Sequence, residues 1–582
     1  MNPRPAPPHH LTDSRLANMG ATIIHDAYIA YSNSFATITH RAYERFAARD
    51  WHGHRGDARQ RLELYRQVIS HVVTQICSLL ADRLKNKLVW ASLKAVYSSR
   101  IAQHNDWELA ETFFNSVTRR IFATVGVDPQ IEFVATDFDM PPTPSYVDVY
   151  RIYQPKGEMV DLVRQVIQDF GYQVPFAHLE WDCQQVAGRI RACLDERGAH
   201  ITQVDMVKQP FYRGKGAYLV GRIFTTTGMV PLTLALLHEE NGIYVDCALL
   251  DESSISILFS FARSYFHVET DRPFDLVHFI RSLIPQKRFA EIYISLGYNK
   301  HGKTELYRDL LAHLAHSQEQ FHITPGQKGM VMTVFTLPDY DLVFKVIKDR
   351  FSYPKRTTRQ EVMAQYELVF HHDRAGRLID AQTFEHLQFN RTRFSEGLLE
   401  ELLQIAARTV WVSGEYVVVN HAYVERRVTP LDLYLQQATP AAAAAAVLDY
   451  GQTIKDLAAT NIFTGDMLLK NFGVTRHGRL VFYDYDELRP LTDCRFRAMP
   501  QSSRYEDELS AEPWFPIGDD DIFPEEFLRF MGLPPVLQQL FVAHHGDLLE
   551  VDYWQETQAR IRAGEIISII PYAESQRFPR PG

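Results

Sequence analysis

Apolar residues recur at three- and four-residue spacing through the first part of the chain. Leu62, Leu64-Tyr65, Val68-Ile69, Val72-Val73, Ile76 and Leu79-Leu80 form one broad stripe, the mark of helices that bury a single face. The pattern predicts helix from about Asp13 to Ala123, and again over Met159–Phe170 and Cys183–Arg197. The texture then changes. Gly216–Phe224, Val230–Leu237 and Gly242–Leu249 predict strands, the last entered through the turn Glu240-Asn241-Gly242. Helices return over Ser253–Phe266 and Pro273–Leu283. Arg213-Gly214-Lys215-Gly216 stands before a strand and not before a helix, so it reads as a surface loop in preference to an anion site.

From residue 320 onward the segments fall in a particular order. A loop with two glycines, Thr324-Pro325-Gly326-Gln327-Lys328-Gly329-Met330, leads into the apolar run Val331–Leu337. A Pro338-Asp339-Tyr340 turn and a second strand, Leu342–Lys348, complete a β-hairpin. Thr358–His372 reads as a helix, Tyr416–Val419 and Ala422–Glu425 as a strand pair leading to a hinge, and Thr429-Pro430-Leu431 as an N-cap with proline at N1. The alanine run Ala441–Ala446 is good helix-forming sequence. Another hairpin, Phe472–Thr475 with Arg479–Tyr483, ends on Asp484-Tyr485-Asp486-Glu487. Helices mixed with antiparallel hairpins place the chain in the α+β class.

Composition narrows the possibilities. The 582 residues, 46% hydrophobic and 23% charged, are ordinary for a soluble globular protein of two large domains or about three smaller ones. A formal net charge of −10 argues against a basic nucleic-acid surface. Cys77, Cys183, Cys193, Cys247 and Cys494 are odd in number and contain no C-x-x-C pair, so neither a disulfide framework nor a zinc site is expected. The proline-rich start reads as a short disordered tail over residues 1–12, lacking the apolar core of a signal peptide. No run approaches the roughly 20 apolar residues needed to span a bilayer. A cytoplasmic protein without membrane attachment is expected.

The candidate chemistry lies in the second half. Lys345 interrupts an apolar strand; taken alone, it would more often face solvent. Asp466 and Asn471 are separated by four residues in Asn461–Asn471, and Asp484 follows Asp466 by 18 residues, at a strand end. Glycine loop, strand lysine, Asp-x4-Asn, hairpin and strand-end aspartate are the parts, in order, of a protein-kinase phosphoryl-transfer site. Such a site works by position and charge. Asp466 would orient the attacking hydroxyl and take its proton, Asn471 and Asp484 would offer hard oxygen ligands to Mg²⁺, and Lys345 would neutralise phosphate charge. Glu361 and Glu367, on the expected helix, are candidates to pair Lys345. Adenine would bond backbone groups near Val424–Arg426.

Several long motifs resemble the isocitrate dehydrogenase kinase/phosphatase family. They are Thr324–Met332 through Phe344–Phe351, His372–Arg377, Tyr423–Arg427, Asn461–Val474 with Phe482–Glu487, Ala511–Trp514 and Phe523–Phe527. The resemblance is densest over about 324–530 and extends more weakly along the whole chain. It implies a mainly helical regulatory domain with some strands at 13–320, and a bilobal kinase-like catalytic domain at 321–582. It also implies ATP and ADP as nucleotides, Mg²⁺ with Mn²⁺ as an alternative, AMP as allosteric effector and a homodimer. One active site would phosphorylate a serine of isocitrate dehydrogenase, remove that phosphate, and hydrolyse ATP on the side, directing carbon between the tricarboxylic acid cycle and the glyoxylate bypass. The nucleotide loop falls on Thr324–Met330, including Gln327, and the ATP lysine on Lys345. The catalytic pair falls on Asp466 and Asn471, and the metal aspartate on Asp484. A further aspartate, tied to the phosphatase direction, falls on Asp380, which otherwise reads as an ordinary surface acid.

This sequence also departs from common protein kinases. Thr464-Gly465-Asp466 lacks the arginine that reads an activation-loop phosphate, and Asp486 replaces the glycine of Asp-Phe-Gly. Two other readings use the same residues: a kinase-fold phosphotransferase for a small metabolite, and a nucleotide-sensing pseudokinase. The acidic Glu512–Glu526 stretch reads as a solvated loop or a contact for the protein substrate.

Overall fold

The computed structural model describes residues 11–134, 149–261, 265–326, 328–353, 357–372, 375–465, 467–500, 515–518 and 520–580. Most of the expected tail, residues 1–10, lies outside them. Thr12 does not belong to a tail: its side chain caps the first helix by accepting from the Arg15 N–H at 3.4 Å.

Four helices open the chain: α1 (Asp13–Ala47), α2 (Trp51–Leu80), α3 (Lys87–Ile101) and α4 (Trp107–Phe122). A six-stranded antiparallel sheet follows. Its order is β1 (Tyr150–Tyr153), β2 (Ile201–Val207), β4 (Gly216–Thr225), β5 (Gly228–Glu239) and β6 (Gly242–Leu249), with β3 (Phe211–Arg213) also on β4. One face of the sheet, including Leu219, Leu234 and Val245, packs on α5 (Met159–Gln168) and α6 (Leu179–Glu196). The other, including Val220, Ala235 and Cys247, packs on α1–α4. Burial on both faces explains why β4–β6 read as unbroken apolar runs and not as alternating ones. Arg213 corrects the surface-loop reading. It is buried at the end of β3, donating to the Leu258 carbonyl at 2.6 Å with its guanidinium 3.9 Å from the Phe261 ring centre.

The helix expected over Ser253–Phe266 is shorter, α7 (Glu252–Leu258). Phe259, Phe261 and Phe266 are buried all the same, because their apolar rings fill the core from outside the helix. Then come α8 (Pro273–Leu283), α9 (Phe289–Ser295) and α10 (Asn299–His316). Leu306, Leu310 and Leu314 of α10 belong to the core of the next sheet. That sheet runs β10 (Ala381–Asn390), β12 (Tyr416–Arg426), β9 (Tyr340–Ile347), β8 (Met332–Leu337) and β7 (His322–Ile323), with β11 (Val410–Ser413) on β12. The strand pair expected at 416–425 is thus one continuous strand. Helix α11 (Arg359–His372) lies on one side of the sheet and α12 (Glu396–Ile405) on the other.

Beyond β12 the chain enters a helical lobe. Thr429 and Pro430 form the short strand β13, and Pro430 is itself the N-cap of α13 (Leu431–Gln437), one residue later than expected. Next are α14 (Pro440–Ala459), β14 (Ile462–Phe463) and the hairpin β15 (Phe472–Val474) with β16 (Leu480–Phe482). Helices Pro535–His545 and Val551–Arg562 close this lobe around Phe541 and Trp554.

The last described residues return to the first sheet. The Phe578 N–H donates to the Asp246 carbonyl at 2.8 Å, and Arg577 and Tyr572 both bond the buried Asp246 carboxylate. Among the described residues, no helix is long and apolar enough to cross a membrane.

Candidate active site

A cleft of about 1000 Å³ opens between the β7–β12 sheet and the helical lobe. Residues 324–326 and 328–330, Lys345, Asn471 and Asp484 all line it. Gln327 and Asp466 lie outside the described residues, so the structure bears on neither of them.

Lys345 is only 7% exposed. Its strand is central, with Lys345 opposite Tyr423 on β12 and Val334 on β8. The ammonium therefore turns from the sheet into the cleft. It meets the Glu425 carboxylate at 2.6 Å and donates to the Tyr483 carbonyl at 2.7 Å. The partner is thus neither Glu361 nor Glu367. Glu361 accepts from the Thr358 N–H at 2.7 Å and is spent on the start of its own helix. Glu425 lies two residues along β12 from Tyr423, so sheet register alone brings it to the lysine. Burial raises the Glu425 carboxyl, an effect opposed by the Lys345 ammonium and the Tyr366 hydroxyl 3.4 Å away. Sequence reasoning missed this residue, although Glu425, the only acid of β12, closes the mostly apolar stretch Val417–Val424 as Lys345 is the only lysine of β9.

The nucleotide-loop candidates are tied down from both sides. Lys328 pairs Glu401 of α12 at 2.5 Å, and Lys348 donates to the Gly329 carbonyl at 2.6 Å. Gly326 has φ +121, a conformation that only glycine adopts without strain.

On the opposite wall, Asn471 is buried and its carbonyl accepts from the Tyr483 N–H at 3.1 Å, tying it to the strand end that carries Asp484. Tyr485 points inward and donates to the Ile379 carbonyl at 2.7 Å, while Asp484 and Asp486 on either side of it line the cleft. The missing arginine before Asp466 has a steric counterpart. Gly465 has φ +73, and a Cβ there would lie 2.8 Å from the Glu487 Cβ.

Asp380 is half-buried and does not line the cleft; it sits beside it. The Leu378–Phe482 pairing is parallel, so Asp380 advances alongside Asp484. Its carboxylate accepts from Gln382 Nε2 at 2.7 Å, and it is close enough to act on the charges of Glu425 and Lys287. Arg377 fixes this segment. It is 4% exposed, pairing Asp456 at 2.7 Å and Asp449 at 2.8 Å, and its carbonyl accepts from the Phe482 N–H at 2.6 Å. Burial works to raise the Asp449 carboxyl, but the Arg377 guanidinium outweighs it and holds the group below its ordinary value.

Behind the cleft, the first half of the chain grips the hinge. Glu291 of α9 pairs Arg426 at 3.0 Å, Arg288 pairs Asp341 at the start of β9, and Arg476 donates to the Gln286 carbonyl at 3.1 Å. Burial acts to raise Glu291, but Arg426, Lys287 and Arg288 together bring it down to about 2. A depressed carboxyl stabilises the fold above its unfolded value of roughly 4.3, and that contribution is lost as pH falls through the folded value. Glu291→Gln should therefore lower the melting temperature at pH 7. The gap to the parent should shrink steadily below about pH 4.3; a gap independent of pH would rule out this role.

A strand lysine and acid facing a strand-end aspartate and a buried asparagine across a two-lobed cleft define a protein-kinase-like phosphotransferase. Residues 319–574 match the family model described as the isocitrate dehydrogenase kinase/phosphatase (AceK) kinase domain, and residues 21–318 match the regulatory domain of the same family. The chain belongs to the isocitrate dehydrogenase kinase/phosphatase family. A relative of that name from Anaeromyxobacter sp. (strain Fw109-5) is 49% identical over 97% of this chain and 98% of its own. Another, from Xanthomonas campestris pv. campestris (strain 8004), is 42% identical over 99% and 100%. The solved ROP18 kinase domain in complex with AMP-PNP and sucrose is 13% identical, covering 45% of this chain and 90% of that one at a TM-score of 0.22.

Proposed function

We propose that this chain is the bifunctional enzyme that phosphorylates isocitrate dehydrogenase on serine from ATP, inactivating it, and removes the phosphate to reactivate it. The single observation that carries the reading is the bond from Lys345 across the cleft to the carbonyl of Tyr483, the residue before Asp484, at 2.7 Å. It brings the phosphate-neutralising lysine and the metal-site aspartate to one point.

In the kinase direction, Asp466 takes the serine proton as the serine oxygen bonds to the γ-phosphorus and the bond to the β–γ bridging oxygen breaks. The 324–330 loop and Lys345 hold the phosphates, and the adenine lies against the Val424–Arg426 backbone. Asn471 and Asp484 suit Mg²⁺, or Mn²⁺, because both offer hard oxygens on one wall and are joined through Tyr483. A bound Mg²⁺ would supply charge neutralisation to the phosphates.

In the reverse direction the phosphate passes to ADP or directly to water, with Asp380 placed beside Asp484 to serve that step. Transfer from ATP to water is the ATPase side activity. Residues 321–582 form the catalytic domain and 13–320 the regulatory domain, through which AMP acts, in a cytoplasmic homodimer that sets flux between the tricarboxylic acid cycle and the glyoxylate bypass.

Incubation with isocitrate dehydrogenase, Mg²⁺ and γ-labelled ATP tests the proposal. Label should enter the dehydrogenase as its activity falls, and leave on exchange of ATP for ADP. No transfer to that protein would overturn the reading. Asp486, facing the same cleft, gives a sharper prediction. Asp486→Ala should reduce dephosphorylation on the order of 10²-fold while phosphorylation falls far less; equal losses would remove Asp486 from the phosphatase step.

A further inference from the structure

A second cavity, of about 80 Å³, lies among α2, α4 and the start of α10, and shares no lining residue with the cleft. Arg61 forms one of its walls. This guanidinium is 6% exposed and sits 4.2 Å from the Phe35 ring centre. Two of its N–H groups donate to the Phe266 and Leu296 carbonyls at 3.0 and 2.8 Å. Its Nε has no hydrogen-bond partner, and among the described residues no carboxylate lies within ion-pair distance of it. A buried cation without a counter-ion is costly, and proteins ordinarily pair it.

The nearby acids do not fill that role. Glu108 is fully buried, accepts from the Tyr293 hydroxyl at 3.2 Å and is pushed by burial up to about 8, hence neutral at pH 7. Asp106 is bonded to the Tyr28 and Ser32 hydroxyls.

Next to it is the N-terminus of α10, an 18-residue helix with no side-chain cap and no acid in its first turn. Asn299, Lys300 and His301 of that turn line the cavity. Helix N-termini carry partial positive charge and present N–H groups to anions. Burial holds His301 well below its ordinary value, so its ring is neutral, and its Nδ1 lies 2.7 Å from the Thr112 hydroxyl. Arg66 and the rings of Tyr31, Tyr65, Tyr265 and Tyr298 also line it. At about 30 Å³ per water, the space suits one phosphate or carboxylate head with the rest of the ligand toward the mouth.

We propose that this cavity is an oxyanion site, binding the phosphoryl or carboxylate group of a small metabolite against Arg61 and the first turn of α10. The site is coupled to the catalytic half by position. Arg61 holds the Phe266 carbonyl, and Phe261, in the same connection, packs where a Cβ on Gly376 would come within 2.5 Å of its ring.

The test uses full-length Lys345→Met, in which the cleft no longer offers its own phosphate lysine. Titration calorimetry with inorganic phosphate and with malonate, at constant ionic strength, should give saturable binding of one ion per chain. Arg61→Gln should weaken it about tenfold or more, and Lys300→Glu at the exposed mouth a few-fold. Lys300→Glu keeps the test open if Arg61→Gln fails to fold. Binding of phosphate alone identifies a phosphoryl ligand and of malonate alone a carboxylate; either supports the site. No saturable binding up to about 20 mM, or binding indifferent to both substitutions, overturns it.

Discussion

Glu425→Ala is expected to destabilise the protein by about 3–5 kcal/mol and to slow phosphoryl transfer on the order of 10²-fold. The first effect comes from the ammonium left behind. Lys345 would keep the Tyr483 carbonyl but lose its only described carboxylate partner, in a setting where the lysine is 7% exposed and the acid 2%. The second comes from aim, since a lysine without its acid no longer has one preferred direction into the cleft. Denaturant unfolding and label transfer to isocitrate dehydrogenase measure the two. Glu361→Ala is the control and should leave transfer unchanged, because that side chain bonds Thr358 and not the lysine. If Glu361→Ala matched Glu425→Ala in lost transfer, the lysine would be held from α11 in the working enzyme.

Arg377→Met should be equally severe for stability, again about 3–5 kcal/mol, for the converse reason: it leaves two acids facing a buried apolar chain. Asp449 and Asp456 both pair this guanidinium, and Asp449 also accepts from the Leu480 N–H at 2.7 Å. The loss should reach chemistry through Asp380, three residues on, whose course beside β16 is set by the bonds of Arg377 and Ile379 to Phe482. Dephosphorylation should therefore fall more than phosphorylation, and Arg377→Lys should restore part of the stability and less of the activity, since an ammonium cannot span both carboxylates. Full phosphatase activity in a folded Arg377→Met protein would separate Asp380 from this anchor.

The parts of the site that the sequence revealed are those carried on local elements. Lys345 on its strand, Asn471 before a hairpin and Asp484 at a strand end keep their spacing whatever the rest of the chain does, so their order was readable. Glu425 was not, because its nearness to Lys345 depends on the register of two strands far apart in sequence. Arg377 was hidden for the same reason: its partners lie on α14, across the lobe. The helix expected over Ser253–Phe266 is longer than α7 because apolar content alone does not distinguish a helix from a buried irregular segment. Phe259, Phe261 and Phe266 are buried as the pattern demanded, but beyond the end of α7. Pro430 was placed inside a helix that it instead caps, a difference of one residue at a boundary where proline suits both positions.

The return of the chain's final residues to β6 has a practical consequence for anyone dissecting this molecule. Asp246 receives Arg577 and Tyr572 from the far end of the sequence, and Phe578 adds a backbone bond beside it. The polypeptide is in effect a belt buckled on its own first sheet. A fragment stopping near residue 320 would leave that buckle undone, with a buried carboxylate bare and Phe578's place in the core empty. Its poor behaviour in isolation would say nothing about whether the first half can fold. Supplying residues 570–580 as a separate peptide, or fusing them behind a short linker, would be the fair way to ask.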